Sequence, residues 1–382
     1  MSLRGTAAII GAAETERLGR IPDMSAMELH AEAGLAALRD AGLTIDDVDG
    51  VACAGENPLD VAHHLGIRAG YLDGTMVGGT SFLLHVRHAA AAIAAGLCRT
   101  VLITHGESGR SRVGMQPWAP APQSTRGQFE MPYGAHLAPT TFPIGVLRYM
   151  KTYGMTHEQL AMVPVVQRQW AARNPRAKLR DPITVEDVLA SRMIAYPLHL
   201  LECCLVTDGG AAIVVTAADR AADAPKPPVY LLGAGEAAES PAISQMADLT
   251  SSRAFRDAGR AAFAEAGITH DDVDHLMIYD AFAHVPLYGL EDLGFVGRGE
   301  SFHFVAEGHT APGGRLPMNT NGGGLAYTHT GMYGMFAITE AVRQVRGEAA
   351  AQVDDVNVSV VLGNGGSFMS AGVLVLGSAQ TR

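Results

Sequence analysis

Cysteine is scarce in this chain, and the few that occur form no recognisable framework. Its 382 residues include only Cys53, Cys98, Cys203 and Cys204, too few for a disulfide scaffold. Cys203 and Cys204 are adjacent, which is a poor geometry for pairing, and the cysteine spacings are not those of zinc sites. We therefore expect no bound metal, and a reducing cytoplasm is the expected compartment.

Positive charge is also in short supply. The chain has 28 Lys and Arg residues against 39 Asp and Glu, a net charge of −11. Such a balance disfavours attraction to nucleic acid or to an anionic membrane, so an anionic substrate would need a local basic patch. The longest apolar runs fall short of a membrane span. The start, "MSLRGTAAIIGAAE", lacks a signal-peptide pattern and predicts a first strand instead.

An internal repeat organises the chain. The segment "AALRDAGLTIDDVDGVACAG" in the first half matches "AAFAEAGITHDDVDHLMIYDAF" in the second. Gly42 aligns with Gly267 and Asp49 aligns with Asp274, both at an offset of 225 residues. Each segment reads as a helix, a glycine in the left-handed C-cap conformation, an acidic turn and a buried strand. The sequence therefore predicts a duplicated α/β unit.

The same repeat suggests domain boundaries. Each half later carries a glycine-rich turn, a helix and an unbroken apolar strand such as "TVLIT" or "VSVVLG". We expect an N-terminal domain at 1–217, a linker at 217–228 and a C-terminal domain at 229–382. An insertion at about 108–200 interrupts the first domain. It contains a polar loop, "GMQPWAPAPQSTRGQ", and then two helices with Thr156 and Thr184 as predicted N-caps.

These features together resemble the thiolase superfamily over nearly the whole chain. The segment "YGMTHEQLAMV" and the stretch ending "CCLVTDGGAA" resemble its sterol-carrier-protein-type thiolase branch. The resemblance implies an α/β fold of duplicated αβαβα layers with a loop insertion in the first half. It also implies an enzyme whose substrate is a coenzyme A thioester, with no bound cofactor.

Thiolases place a nucleophilic cysteine in one glycine turn and an acid/base cysteine in another. At the first position this chain has Gly79, followed by Thr80 and Ser81 in "GGTSF". At the second it has Gly363, in "LGNGGSF". Glycine supplies no thiolate and forms no thioester intermediate. The remaining polar groups at these turns are the Thr80 and Ser81 hydroxyls and, in the last turn, Asn364 and the amides of Gly365 and Gly366.

One catalytic position of the family is retained. In "AYTHTGMYG", His329 stands where the family has a histidine, beside Tyr327 and Tyr333. We expect the start of the following helix to lower the pKa of His329, which favours a neutral imidazole that donates to a thioester oxygen. The asparagine that thiolases use to hold a water is replaced by Tyr279, at the end of a predicted strand, and Asp280 follows as an expected structural hydrogen-bonder.

Three functions remain open on the sequence. In the first, an acyl-CoA aldolase breaks a carbon–carbon bond, with Tyr279 or Tyr327 as base on a β-hydroxyl. His329 and the amides of Gly365 and Gly366 would then stabilise the enolate. In the second, Ser81 and His329 carry out thiolase acyl transfer. In the third, the chain is a non-catalytic acyl-CoA- or lipid-binding subunit, or a scaffold for a catalytic partner.

Binding of coenzyme A needs cations. The first half supplies candidate phosphate ligands at Arg110, Arg112, Arg126 and Arg148, and more basic residues follow in "RQWAARNPRAKLR". No P-loop or dinucleotide fingerprint follows a suitable strand. The resemblance further implies a homodimer built through the first-half sheet. It also implies pairing with a small zinc-ribbon/OB-fold subunit, as relatives in this branch often show.

Overall fold

One mixed sheet of nine strands organises the computed structural model, which describes residues 2–114, 121–135 and 137–382. The strands of the described chain, including two that form a separate small sheet, are β1 (Ala7–Glu14), β2 (Gly50–Cys53), β3 (Tyr71–Asp73), β4 (Thr100–Ser108), β5 (Met193–Ala195), β6 (Leu198–His199), β7 (Asp208–Ala217), β8 (Val229–Ala238), β9 (His275–Ile278), β10 (Val358–Gly365) and β11 (Ser370–Gly377). The large sheet has the order β3-β2-β4-β7-β1-β8-β11-β10-β9, and β5 pairs with β6.

Helices cover the sheet and fill the first-half insertion. They are α1 (Ala26–Asp40), α2 (Pro58–Leu65), α3 (Ser81–Ala94), α4 (Thr125–Phe129), α5 (Ala138–Tyr153), α6 (His157–Ala172), α7 (Val185–Ala190), α8 (Arg253–Ala266), α9 (Val285–Asp292), α10 (Ser301–Ala306), α11 (Gly323–Ala326) and α12 (Gly334–Arg346). None of the helices in the described parts of the chain is long and apolar enough to span a membrane.

The strand order repeats itself about the middle of the sheet. From the centre outward, β1 pairs antiparallel with β7, β7 pairs antiparallel with β4, and β4 pairs parallel with β2. On the other side, β8 pairs antiparallel with β11, β11 pairs antiparallel with β10, and β10 pairs parallel with β9. The two halves meet where β1 pairs with β8, with Ala8 opposite Tyr230. The predicted duplication of an α/β unit is therefore confirmed.

The helices form layers around this sheet. Helix α1 packs on β1, β4 and β7, and its counterpart α8 packs on β8 and β11. Helices α3 and α12 contact each other and also contact strands of both halves. They form a central helical layer, which gives the αβαβα arrangement expected from the sequence. Since α3 and α12 belong to different halves, the turns that precede them are brought together.

Local sequence explains where several elements begin and end. Gly42 and Gly267 both adopt left-handed conformations after their helices, with φ of +68° and +63°, as predicted. Thr156 and Thr184 accept hydrogen bonds from the backbone N–H groups of Gln159 and Asp187, so both predicted N-caps are confirmed. The apolar runs predicted as strands are β4 and β10, which are almost wholly buried.

The insertion differs from the prediction in two places. The polar stretch 114–128 is predicted to be loop throughout, but Thr125–Phe129 is helix α4, because Ser124 caps it by accepting from the Gly127 N–H; residues 115–120 lie outside the described chain. The helix predicted after Thr184 ends at Ala190, and Met193–Ala195 in the same segment, "TVEDVLASRMI", forms strand β5. Since the halves share one sheet, the domain boundaries 1–217 and 229–382 stay a prediction.

Candidate active site

His329 lies in the connection between α11 and α12, held there by its backbone. Its N–H donates to Thr207 Oγ1 at 2.9 Å, and its carbonyl accepts from the Thr207 N–H at 3.0 Å. The Thr207 hydroxyl also bonds to the hydroxyl of Thr328 at 2.8 Å. Thr207 directly precedes β7 of the first half. The imidazole of the second half is thus positioned by a first-half residue.

Tyr279 directly follows β9 and reaches the same point. Its N–H donates to the carbonyl of Leu362 in β10, which continues the pairing of the two strands past the end of β9. The Tyr279 hydroxyl lies 2.8 Å from His329 Nε2, and the two rings meet edge to face. Both side chains are almost completely buried. Tyr279 and His329 therefore form a hydrogen-bonded pair inside the protein.

Burial fixes the charge of this pair. It lowers the pKa of His329 to about 4, which makes the imidazole neutral at neutral pH. Burial likewise raises the pKa of Tyr279 well above its usual value, with the nearby Cys204 thiol as a further cause. The direction expected for His329 is correct, but the cause is burial: α12 begins only at Gly334, five residues after the imidazole. At neutral pH both partners are uncharged.

The positions of the two missing thiols are filled by neighbouring side chains. A Cβ built on Gly79 would lie 2.5 Å from Cε2 of Tyr279 and 3.0 Å from its hydroxyl oxygen. A Cβ on Gly363 would lie 2.7 Å from Oγ1 of Thr80. Real Cβ atoms do not approach other atoms so closely. The Tyr279 ring thus occupies the space into which a side chain at position 79 would project.

Asp280 connects the tyrosine to the histidine segment. Its carboxylate accepts from the N–H groups of Gly324 at 2.7 Å and Leu325 at 3.1 Å. Burial raises the pKa of Asp280 to about 7, although these hydrogen bonds favour the ionised form. The geometry is that of the structural hydrogen-bonder expected from the sequence, because the carboxylate fixes α11 next to the strand end that carries Tyr279.

Ser81 is not directed at His329. Its hydroxyl donates to the carbonyl of Gly78 at 2.6 Å and accepts from the N–H of Val77 at 2.9 Å, and the residue is buried. The neighbouring Thr80 hydroxyl is also buried and has no hydrogen-bond partner. Since His329 Nε2 contacts Tyr279 instead, the hypothesis of a Ser81–His329 nucleophile is wrong for this geometry: Ser81 ties down the first turn of α3.

Tyr327 belongs to another cluster. Its hydroxyl donates to Glu14 Oε2 at 2.5 Å, and the same carboxylate pairs with Arg343 at 3.0 Å and Arg176 at 3.3 Å. Tyr327 is therefore occupied by an ion-pair network between the halves and not by His329, which corrects its assignment as a candidate base. Tyr333, the other flanking tyrosine, donates to Asn321 Oδ1 at 2.7 Å, and its ring packs edge to face on Tyr279.

The last glycine turn is a tight hairpin between β10 and β11. Asn364 Nδ2 donates to the carbonyl of Gly366 at 3.1 Å, whereas its Oδ1 is buried without a partner. Gly366 is left-handed, with φ of +58°, and its N–H faces the turn before α3, where a Cβ on Gly78 would lie 2.7 Å from the Gly366 nitrogen. Glycine is required on both sides of this approach. The turns of the two halves therefore touch.

None of the four cysteines is an activated nucleophile. Burial raises the pKa of Cys53 to about 12 and that of Cys98 to about 11. It raises the pKa of Cys203 to about 12, and its thiol bonds to the carbonyl of His199. Cys204 lies near the pair, since its charge would act on Tyr279 and Asp280, but burial raises its pKa as well. A thiol with a raised pKa is protonated and weakly nucleophilic.

The candidate arginines lie in the turn after β4, on α4 and on α5. Arg110, Arg112 and Arg148 are exposed, the first two in the turn after β4 and the third on α5. Asp208 fixes this turn by accepting from the N–H groups of Arg110 and Ser111. Arg126 pairs with Glu130 across one turn of α4. Of the basic residues further along, Arg168 is buried against the Asp181 carbonyl and Arg176 pairs with Glu14, so neither is available for phosphate.

Sequence reasoning missed three neighbours of the pair: Thr207, Cys204 and Glu107. Thr207 and Cys204 stand in "CCLVTDGG", which was used above only for its resemblance to the sterol-carrier-protein-type branch. Glu107 is the one acidic residue in the otherwise apolar or polar uncharged strand β4, and this was a signal that could have been used. Among the described residues, no group of three His, Cys, Asp or Glu side chains is arranged to hold a metal ion.

A duplicated, layered α/β fold whose glycine turns meet beside a buried histidine defines a thiolase-like protein. Residues 235–378 match the family model described as the thiolase C-terminal domain-like family. The chain is 37% identical to the steroid side-chain-cleaving aldolase of Thermomonospora curvata, over 95% of this chain and 96% of that protein. It is 36% identical to the 17-hydroxy-3-oxo-4-pregnene-20-carboxyl-CoA lyase of Mycobacterium tuberculosis, over 98% and 100%.

Two solved structures have the same fold. A structure described as an Ltp2-ChsH2(DUF35) aldolase superposes with a TM-score of 0.91 at 35% identity, over 99% of both chains. A monomeric SCP2-thiolase-like protein of Mycobacterium smegmatis superposes with a TM-score of 0.75 at 26% identity, over 100% of this chain and 78% of that one. The chain belongs to the thiolase superfamily, in its sterol-carrier-protein-type branch.

Proposed function

We propose that this protein is an acyl-CoA aldolase, which cleaves the bond between the α- and β-carbons of a β-hydroxyacyl-CoA ester. The observation that carries the proposal is the Tyr279–His329 pair, whose tyrosine ring stands where a thiolase would need its nucleophile. The two relatives with full coverage are named as an aldolase and a CoA-ester lyase. Both names describe bond cleavage of this type.

The pair supplies a route for the proton of the β-hydroxyl. As the substrate O–H gives its proton to the Tyr279 oxygen, Tyr279 passes its own proton to His329 Nε2 across the 2.8 Å contact. The electrons of the O–H bond form the new carbonyl, the α–β bond breaks, and its electron pair becomes the enolate of the thioester. Because the proton moves through the tyrosine, the reaction never requires a free phenolate, which burial makes unfavourable.

The enolate oxygen needs hydrogen-bond donors. His329 Nε2 is engaged by Tyr279, so we assign the thioester oxygen to the turn amides of Gly365 and Gly366 rather than to the imidazole. This turn touches the one that carries Gly79, which is next to the tyrosine ring. Donors fixed in advance stabilise the charge that develops as the bond breaks, and each is worth about 3–4 kcal/mol in such sites.

The substrate is a coenzyme A thioester whose phosphates are bound by exposed arginines of the first half. Arg110, Arg112 and Arg148 are candidates because they are exposed; Arg126 is shared with Glu130. The acyl part is an apolar, steroid-like group, as named for the two relatives. A small DUF35 subunit, of the kind named with the structural neighbour, is the partner, and a second copy of this chain completes a homodimer.

The proposal is tested by supplying 17-hydroxy-3-oxo-4-pregnene-20-carboxyl-CoA to the purified chain, alone and co-expressed with a genomically neighbouring DUF35 protein. Liquid chromatography with mass spectrometry should detect a 17-ketosteroid and propionyl-CoA in equal amounts, as the connectivity of a retro-aldol cleavage requires. The matched negative substrate lacks the 17-hydroxyl and should remain intact.

Two results would contradict the proposal. Stoichiometric CoA-ester binding without any turnover, with or without the partner, would favour a non-catalytic subunit. Release of a shortened acyl-CoA only when free coenzyme A is added, from a β-keto ester, would instead identify thiolase chemistry.

A further inference from the structure

Glu107 is a partly buried acid that the proton route described above does not use. It lies next to the end of β4, opposite Gly209 of β7 in the strand register. Its Oε2 atom is fully enclosed and has no hydrogen-bond partner. An unpartnered carboxylate oxygen is costly to bury, so its presence calls for a functional reason.

The Glu107 carboxyl lies against the histidine segment. Gly331, two residues after His329, adopts φ of +134°, and any side chain there would overlap both Glu107 carboxyl oxygens. On the β7 side, Gly209 is two residues from Thr207, which holds the His329 backbone from both its N–H and its carbonyl. The carboxyl is therefore adjacent to the loop that carries the imidazole, on the face formed by the first half.

Its electrostatic surroundings keep a proton available. Burial raises the pKa of Glu107 to about 7, against the opposing influence of Arg112. The charge of Glu107 is also among the causes that raise the pKa of Tyr279, which links the carboxyl to the same site. Asp280 has a similar pKa of about 7, but both of its oxygens are occupied by backbone N–H groups. Of these two acids, Glu107 is the one with an unpartnered carboxyl oxygen.

Resting on the aldolase function proposed above, we propose that Glu107 is the catalytic acid that protonates the α-carbon of the thioester enolate. The enolate electron pair takes the proton from the Glu107 carboxyl, which forms the new C–H bond of the product acyl-CoA and leaves a carboxylate. The proton that His329 received from the substrate hydroxyl restores Glu107 through solvent, so the cycle neither gains nor loses a proton. In the reverse direction the Glu107 carboxylate removes the α-proton of an acyl-CoA.

This reverse step can be measured alone. Wild-type protein incubated with propionyl-CoA in D₂O should exchange the α-hydrogens for deuterium, followed by NMR or mass spectrometry, without any aldehyde or ketone present. Glu107→Gln preserves the shape of the side chain but removes the acid, so exchange should fall at least about 100-fold. Glu107→Asp should retain measurable exchange.

The outcomes separate the two proposals. Wild-type exchange by Glu107→Gln, or no exchange by a wild-type protein that cleaves substrate, would overturn the role of Glu107 and leave the aldolase function standing. A wild-type protein that neither cleaves nor exchanges would contradict the aldolase function and, with it, the role of Glu107. Equal affinity of wild type and Glu107→Gln for propionyl-CoA, measured by calorimetry, shows that a lost exchange rate does not come from misfolding.

Discussion

At the scale of single residues, the main feature of the site is that neighbouring side chains occupy the space of the two missing thiols. Tyr279 fills the space in front of Gly79, and Thr80 fills the space in front of Gly363. Restoring a thiol at either position would require the side chain already there to leave. A cysteine at position 79 and the observed position of the Tyr279 ring therefore exclude each other, and Tyr279 contacts His329.

The close approach of the Tyr279 ring to Gly79 predicts the effect of adding a single methyl group at position 79. Gly79→Ala places a Cβ about 2.5 Å from the Tyr279 ring, so the ring must move off His329. We expect a stability loss of about 1–3 kcal/mol and a fall in kcat of at least about 10-fold, measured by urea unfolding and by substrate cleavage.

Gly70→Ala is the matched control, because the nearest atom to its added Cβ lies 3.9 Å away and the backbone is not left-handed. Wild-type kcat in Gly79→Ala would show that the Tyr279 ring is not held as the structure describes.

At the scale of elements, the repeat explains much of what could be predicted. Asp49 and Asp274, aligned by the sequence, have equivalent roles. Each carboxylate accepts from two consecutive backbone N–H groups at the start of a neighbouring strand of the sheet, β4 for Asp49 and β10 for Asp274. The acidic turn was therefore a reliable sign of two equivalent units. Strands β4 and β10 were predictable because each begins with a mainly apolar run, "TVLIT" and "VSVVLG".

The contacts within the site were not predictable in the same way. Tyr279 and His329 are fifty residues apart in the chain. Their hydrogen bond depends on Thr207 of the other half, which holds the His329 backbone by hydrogen bonds. Sequence patterns alone do not favour Tyr279 over Tyr327, because both are tyrosines in the second half. Tyr327 is excluded as the base only because its hydroxyl donates to the Glu14 carboxylate, which lies 313 residues away along the chain.

The central helix α3 is joined to the second half by an ion pair that should respond to pH. His88 bonds to Asp73 at 2.8 Å and to Glu236 of β8 at 3.0 Å, and Arg87 also pairs with Glu236. These bonds raise the pKa of His88 from 6.5 to about 9. The stabilisation is complete below the unfolded pKa near 6.5 and is lost as the pH rises through about 9.

His88→Gln should therefore lower the free energy of unfolding by about 1 kcal/mol at pH 6, and the difference from wild type should shrink toward zero at pH 10. Urea unfolding at the two pH values measures it, with the exposed His64→Gln on α2 as control. A difference that stays constant with pH would mean that His88 contributes packing rather than charge.

At the scale of the whole molecule, the sheet has an open edge at β3. This strand ends the nine-stranded order, and Leu72 at its centre is 41% exposed. An exposed edge strand can pair with a second copy of itself, which agrees with the homodimer proposed above.

Light scattering after gel filtration should give twice the chain mass of 40.1 kDa. Leu72→Asp places two like charges at the dimer axis and should yield the monomer, whereas Leu59→Asp, on the exposed face of α2, should not. A monomeric wild type at about 50 μM, or a dimer that survives Leu72→Asp, would contradict pairing through this edge.

The most direct test of the central claim compares Tyr279→Phe with Cys204→Ala in single-turnover cleavage of the steroid β-hydroxyacyl-CoA. The aldolase account predicts that Tyr279→Phe slows cleavage by about 10²–10⁴-fold, because the route from the β-hydroxyl to His329 is broken. It predicts that Cys204→Ala, which removes a thiol that acts electrostatically on Tyr279, stays within a few-fold of wild type. Wild-type cleavage by Tyr279→Phe, or loss of cleavage in Cys204→Ala with an acyl-cysteine in the wild type, would contradict the account.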